Sequence, residues 1–388
     1  MLSHLPYHSN LKEYRVQAEQ LLGGWRAADP DAINLFRQCH PKFLDRRIPW
    51  LPKRMSDAEA RTVWIDSADS ELAIARWYDF ADWTRLAEWV EAVTAGDSPV
   101  YRYETAVEAV ISGNAAAVGK ALQDHPDLVR ARSTRVTHHD PPQHGATLVH
   151  YIAANGVEGY RQRSPENAVE IARLLLEAGA EPDAPAGMYG RHDATTMSML
   201  VSSCHPAKAG VQVALVDILV DFGASVEATG SGPWASPLMT ALAFGYLDAA
   251  EALVRRGARV DRLAAAAGLG RLDDAQRLFE RATREERHRA LALAAQLGHT
   301  EIVRLLLDAG EDPDRYNPEG NHSHSTPLHQ AALVGHRGVV ELLVERGARL
   351  DIKDTIWEGT PLGWAEHGGR SEIASYLGRA ATRRLDGA

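Results

Sequence analysis

Apolar residues recur at the i, i+3, i+4 spacing of a buried helix face in a series of separate stretches: AVEIARLLLEAGA, VALVDILVDFGA, LDAAEALVRRGA, LDDAQRLFERA, TEIVRLLLDAG, GVVELLVERGA and SEIASYLGRA. Most run into a glycine, the residue that best accepts the left-handed conformation closing a helix. Shorter, alanine-rich apolar stretches precede them: YETAVEAVISG, ATLVHYIAANG, ATTMSMLVSSC, ASPLMTALAFG, RLAAAAGLG, RALALAAQLGH, STPLHQAALVGH and GTPLGWAEHGG. The pattern predicts eight helix pairs between about Tyr103 and Ala380. No single pair can hide its apolar stripe from water, so the pairs must stack on one another.

The polar positions agree with this reading. In Ser325 to Asp351, STPLHQAALVGHRGVVELLVERGARLD, a Thr hydroxyl is placed to cap free N–H groups, Pro327 suits a first helical turn, and small alanines allow close helix approach. The same segment carries Thr-Pro-Leu-His, an Ala pair, Gly-His, a Leu/Val-rich second helix and Gly-Ala before an acidic residue, about ten positions in register. It resembles the ankyrin-repeat family. The resemblance implies an all-α solenoid in which short β-finger hairpins link the helix pairs, and a concave face of fingers and first helices that binds a protein partner. It also implies that His150 and His329, fourth in their turns, and His299 and His336, after the helix-ending glycine, hydrogen-bond the turns.

The spacing is irregular. From Gly113 through Gly156, Cys204, Gly245, Gly270, Gly298, Gly335 and Gly369 the steps are 43, 48, 41, 25, 28, 37 and 34 residues, against about 33 for the family. Early repeats are enlarged, and two in the middle are too short for a projecting finger. Extra residues fall in ANGVEGYRQRSPENAVEI and CHPAKAGVQVAL, between helices of a pair, and in RSTRVTHHDPPQHG, APAGMYGRHD and RYNPEGNHSHS, in the finger position.

Residues 1–98 do not fit the repeat, which divides the chain into a helical N-terminal cap domain, 1–98, and the array, 99–388. LKEYRVQAEQLLGGWRAADPDAINLFRQCHP reads as two helices broken near GGW and ADPD, and the stretch from Ser56 to Gly96 as two or three more. Trp25, Trp50, Trp64, Trp77, Trp83 and Trp89 lie here, placed to pack a small helical core, with a Trp-lined ligand pocket as the alternative. ELAIARWYDFADWTRLAEWV resembles a helical segment often fused in front of bacterial ankyrin arrays, which points to a bacterial source.

A net charge of −10 argues against a nucleic-acid-binding surface over the whole molecule. Cys39 and Cys204 are too few for a disulfide framework, and the start, MLSHLPYHSNLKEYRVQAEQ, lacks a basic and then apolar leader. A cytoplasmic protein with no membrane contact is expected.

Candidate chemistry is sparse: G-x-S-x-G, H-E-x-x-H and G-x-x-x-x-G-K-[ST] are missing, GLGRLD follows a helix rather than a strand, and no cofactor is expected. His322 and His324, at i, i+2 in a strand-like finger, point to one face and could offer two imidazoles to a metal. Glu358 and His367 are the local partners, but no metal site is assigned. A second polar stretch carries Tyr189, Arg191, His192, Asp193, Ser198, Ser202 and Ser203 beside Asn155, with Arg191 suited to an anion and His192 to proton transfer. Cys204 and His205, adjacent on a helix, do not face each other. The predicted binding groove comprises Asn155, Tyr189, Arg191, His192, Asp193, Ser202, Ser203, Trp234, Phe244, Gln296, His322, His324, Trp357, Glu358 and His367. The competing function is an enzyme or small-molecule binder using that groove, for which His192, His324 and Arg191 are the catalytic candidates.

Overall fold

The computed structural model describes residues 2–154, 157–188, 190–227 and 236–386. The chain forms two compact units, residues 1–225 and 226–388. Among the described residues no helix is long and apolar enough to cross a membrane.

In the first unit, helices Leu11–Arg26, Pro30–Cys39, Ser67–Trp77 and Trp83–Thr94 form the non-repeat part. Their starts are set by side-chain caps: Asn10 and Glu13 close a capping box, Asp29 precedes Pro30, Asp66 and Asp69 close a second box, and Asp82 caps the fourth helix. Tyr14, Leu21, Phe36, Phe43, Ile74, Leu86 and Val93 fill the core, joined by Trp25 and Trp89. Trp50 and Trp64 depart from the expectation. They are 63% and 79% exposed, because they lie in the connections on either side of the short helix Asp57–Ala60 rather than on a helical stripe.

Ser98 caps helix Pro99–Ile111, which opens the first pair with Ala115–Asp124. The second pair joins a 3-10 helix, Leu148–Ala153, to Ala168–Glu177, and the third joins Thr196–Leu200 to Gln212–Asp221. Between the last two lies a short helix, Cys204–Lys208. The finger Ala186–Met188 with Arg191–Ala194 is an antiparallel hairpin.

The second unit holds five further pairs: Pro237–Ala243 with Leu247–Arg255, Leu263–Gly268 with Leu272–Phe279, Arg284–Leu297 with Thr300–Asp308, Pro327–Val334 with Arg337–Glu345, and Pro361–His367 with Ser371–Asp386. All six residues of Leu263–Gly268 are buried. A Cβ on its last residue, Gly268, would lie 2.9 Å from a Leu242 methyl, so a larger residue there would have to push that side chain aside. Leu291, Ile302, Val303, Leu306, Leu328, Val339 and Leu343 form the apolar seam. Residues 256–262 and 280–283 connect pairs without a strand, as the short spacing there requires.

Candidate functional site

Four histidines hold turns. Thr147 N–H donates to His150 Nδ1 at 3.0 Å, so the Nε2–H donates to the Ala184 carbonyl at 3.0 Å. His329 repeats this with Thr326 N–H at 3.2 Å and the Gly359 carbonyl at 3.1 Å. His299 and His336 start second helices and reach back to the preceding pair, bonding the carbonyls of Gly268 and Gln296, both at 2.9 Å. Each of those carbonyls lies two residues before the left-handed glycine, Gly270 or Gly298. In the last pair Arg370 Nε takes the same place on Leu333, two before Gly335.

This register explains His322. The corresponding carbonyl of the fourth pair belongs to Ala243, and the residue that should reach it, Arg271, pairs instead with Glu251 at 2.9 Å. Gln296 Nε2 at 2.8 Å and His322 Nε2 at 3.1 Å bond Ala243 in its place. The short middle repeats thus leave one turn to be fastened by a later finger.

The expected strand geometry around His322 and His324 is not present. Residues 317–326 form turns, His322 has φ +55°, and the two rings stand 6.0 Å apart at 85°. The left-handed residue at 322 breaks the strand alternation that would send both rings to one face. His324 instead packs on Trp357 and Trp364, at 5.1 and 5.7 Å between ring centres. Partial burial and the neighbouring His322 lower the His324 pKa, keeping the ring neutral.

Trp357, 49% exposed, sits on a turn built by the buried Asp354. That carboxylate accepts from the N–H groups of Ile356, Trp357 and Gly359 and from the Trp364 indole. The Asp-to-Gly spacing of DTIWEG is the sequence signal for such a turn. Tyr316, which no motif in the sequence marks, is an exposed ring whose hydroxyl donates to the Lys353 carbonyl at 2.6 Å. Phe244 is exposed beside Ala243, and Glu358 and His367 are exposed on the final finger and final first helix. The second unit therefore exposes Phe244, Tyr316 and Trp357, and Trp357 continues into a run of ring contacts with His324 and His322.

The other candidates lie in the first unit. Arg191 pairs with Asp193 at 3.1 Å, and His192, on the opposite face of the strand, is exposed. Ser198 and Ser202 donate to local carbonyls, and Ser203 caps the helix that Cys204 begins. Asn155, Tyr189 and Trp234 lie outside the described residues.

A buried ionic network in the first unit escaped the sequence reading. Arg161 lies 2.7 Å from Glu104 and 3.0 Å from Glu158, Arg135 lies 3.2 Å from Glu104, and His144 lies 3.0 Å from Glu158. Tyr151, Tyr160 and Trp89 add hydrogen bonds, and the Arg135 guanidinium stacks 4.3 Å over Trp89. Burial alone would raise the Glu158 pKa, yet Arg135 and Arg161 outweigh it and hold the carboxyl well below its usual range. Glu158, Tyr160 and Arg161 come from the insertion in the second pair, legible only as extra length. At 2% exposure or less for both pairs of charges, the network joins elements rather than binding solutes.

Residues 263–354 match the family described as Ankyrin repeats (3 copies). Over 121 residues the chain is 33% identical to Cyclin-dependent kinase 4 inhibitor B of Rattus norvegicus, covering 24% of this chain and 92% of that protein. It is 38% identical over 84 residues to Ankyrin repeat and SAM domain-containing protein 6 of Mus musculus, covering 22% of this chain and 9% of that protein. With Ankyrin repeat and KH domain-containing protein mask-1 of Caenorhabditis elegans, 27% identity extends over 218 residues, 54% of this chain and 8% of the relative. These are animal proteins, and the chain spans under a tenth of the two multidomain relatives. Stacked helix pairs, capped Thr-Pro starts, turn-fastening histidines and similarity along nearly the whole of a short relative agree, and the chain belongs to the ankyrin-repeat family.

Proposed function

We propose that the chain binds a protein partner through the finger and first-helix face of its second unit, with Trp357 and Phe244 as apolar anchors and Tyr316, His324 and Glu358 around them. The observation that carries this reading is Trp357: a large aromatic side chain, half exposed, on a turn that a buried carboxylate holds rigid. Rigid aromatics lose little side-chain entropy on binding and dominate interface energetics. Similarity to a protein named as a kinase inhibitor supports recognition of another protein, without extending to that kinase. A cytoplasmic setting, the concave form of the binding face, a cap ending at residue 98 and a bacterial source complete the proposal. The last rests on residues 71–90.

Affinity capture from lysate followed by binding measurements on the recovered partner tests it. Trp357→Ala should weaken the complex by roughly 2 kcal/mol, about thirtyfold, while far-ultraviolet circular dichroism stays unchanged. Unaltered affinity in Trp357→Ala and Phe244→Ala would remove this face from consideration. A small molecule retained through purification and converted to product would support the enzymatic alternative.

A further inference from the structure

Among the described residues, one group of metal-binding side chains converges: Asp79, His138 and His139, whose candidate ligand atoms all lie within 4.8 Å of one another. Asp79 terminates helix Ser67–Trp77 in the left-handed conformation, φ +63°, with its N–H on the Arg76 carbonyl. Phe80 then bridges antiparallel to Thr137, and Ala81 N–H bonds the Val136 carbonyl at 2.9 Å. This draws the finger loop of the first pair against the helix end. Thr137 N–H bonds the Pro142 carbonyl at 2.7 Å, and the chain bends between them. Consecutive imidazoles, which a strand would send to opposite faces, consequently lie side by side with ring centres 4.2 Å apart. His139 Nε2 is 3.8 Å from an Asp79 carboxylate oxygen.

The carboxylate is poorly accommodated without a cation. It stands at the negative end of a helix dipole, and its Oδ2 is buried with no hydrogen-bond partner among the described residues. Asparagine would adopt the same φ without a buried charge. A backbone hydrogen bond with Phe80 takes one His138 nitrogen, the orienting contact typical of a metal-bound histidine, and leaves the other lone pair available. His138 is exposed while Asp79 and His139 are half-buried, so an ion has a path from solvent. The other ionisable groups facing the cluster are Cys39, Arg76, Glu158, Arg135 and His4.

We propose that Asp79, His138 and His139 bind a divalent first-row transition ion, zinc by ligand type, with water in the fourth position. Two imidazoles disfavour calcium and magnesium. Tetrahedral zinc places ligand atoms about 3.4 Å apart, so side-chain rotations of about an ångström close the site. The ion ties the helical N-terminal part to the first finger and neutralises Asp79.

The test uses the untagged full chain, stripped with chelator and titrated with zinc by calorimetry, with zinc-edge X-ray absorption on the loaded protein. One equivalent bound, two imidazoles in the first shell and at least tenfold weaker binding by Asp79→Asn and His138→Ala are expected. His324→Ala and His192→Ala should bind as wild type. Less than one equivalent, a first shell without two imidazoles, full affinity in the first two variants, or lost affinity in either of the last two would overturn the assignment. Asp79→Asn keeps a residue tolerant of the left-handed conformation, and the wild-type first shell decides the matter if His138→Ala fails to fold.

Discussion

His150 shows how one side chain can couple a turn to pH. It is fully buried, its Nδ1 accepts from Thr147 and its Nε2 donates to Ala184, an arrangement only the neutral ring can satisfy. Burial, offset in part by the Ala184 contact, lowers its pKa to about 4. Because the folded value lies below the ordinary 6.5, the unfolded chain binds more protons between the two. The stabilisation is therefore complete above pH 6.5 and is lost as pH falls through 4. The shift corresponds to roughly 3 kcal/mol. Urea denaturation of the wild type and His150→Gln at pH 7.5, 6, 5 and 4 should show the stability gap between them narrowing over that range. A constant gap would mean that the ring is not held neutral. Glu104 and Glu158 are also depressed and act in the same direction at lower pH, which is why the difference from the variant isolates His150.

At the scale of the helix pair, the turn between the helices and the turn after them look alike in sequence but are packed differently. Gly298 and Gly310 both have φ +85°. A Cβ on Gly298 would lie 2.6 Å from the His336 ring, whereas nothing lies within 4 Å of one on Gly310. Gly310→Ala should cost only the left-handed penalty, about 1 kcal/mol. Gly298→Ala must also displace the histidine that fastens the next pair, adding about 1–3 kcal/mol. Chemical denaturation of the two variants should rank them in that order, and equal losses would show that the His336 contact contributes little. The glycine positions were readable from the repeat pattern. That one of them supports a ring from the following pair was not, since it depends on how closely successive pairs stack.

At the scale of the molecule, each compact unit has its own apolar core, and the network of paired buried charges around Glu104, Arg135, Glu158 and Arg161 belongs to the first. Removing one partner of a buried ion pair leaves the other uncompensated, so Arg161→Ala should destabilise that unit by about 3–5 kcal/mol. Six of the nine tryptophans, Trp25, Trp50, Trp64, Trp77, Trp83 and Trp89, lie in residues 1–225, so tryptophan fluorescence reports mainly on its unfolding. The fluorescence transition should move to markedly lower denaturant in the variant. An unchanged midpoint would mean that the network is dispensable.

The sequence by itself determined the repeating helix pairs, their capped starts and glycine stops, and the missing fingers in the middle. Each of these is a local matter of periodicity, side-chain capping or φ preference. What joins residues distant along the chain was decided only by tertiary structure. His322 reaches Ala243 because short repeats leave that carbonyl to a later finger. An insertion visible only as extra length delivers Glu158 and Arg161 to Glu104, and a bend after Thr137 brings two neighbouring histidines to Asp79. Pairing over such separations depends on where loops without periodicity come to rest, and a hydrophobic pattern carries no record of that.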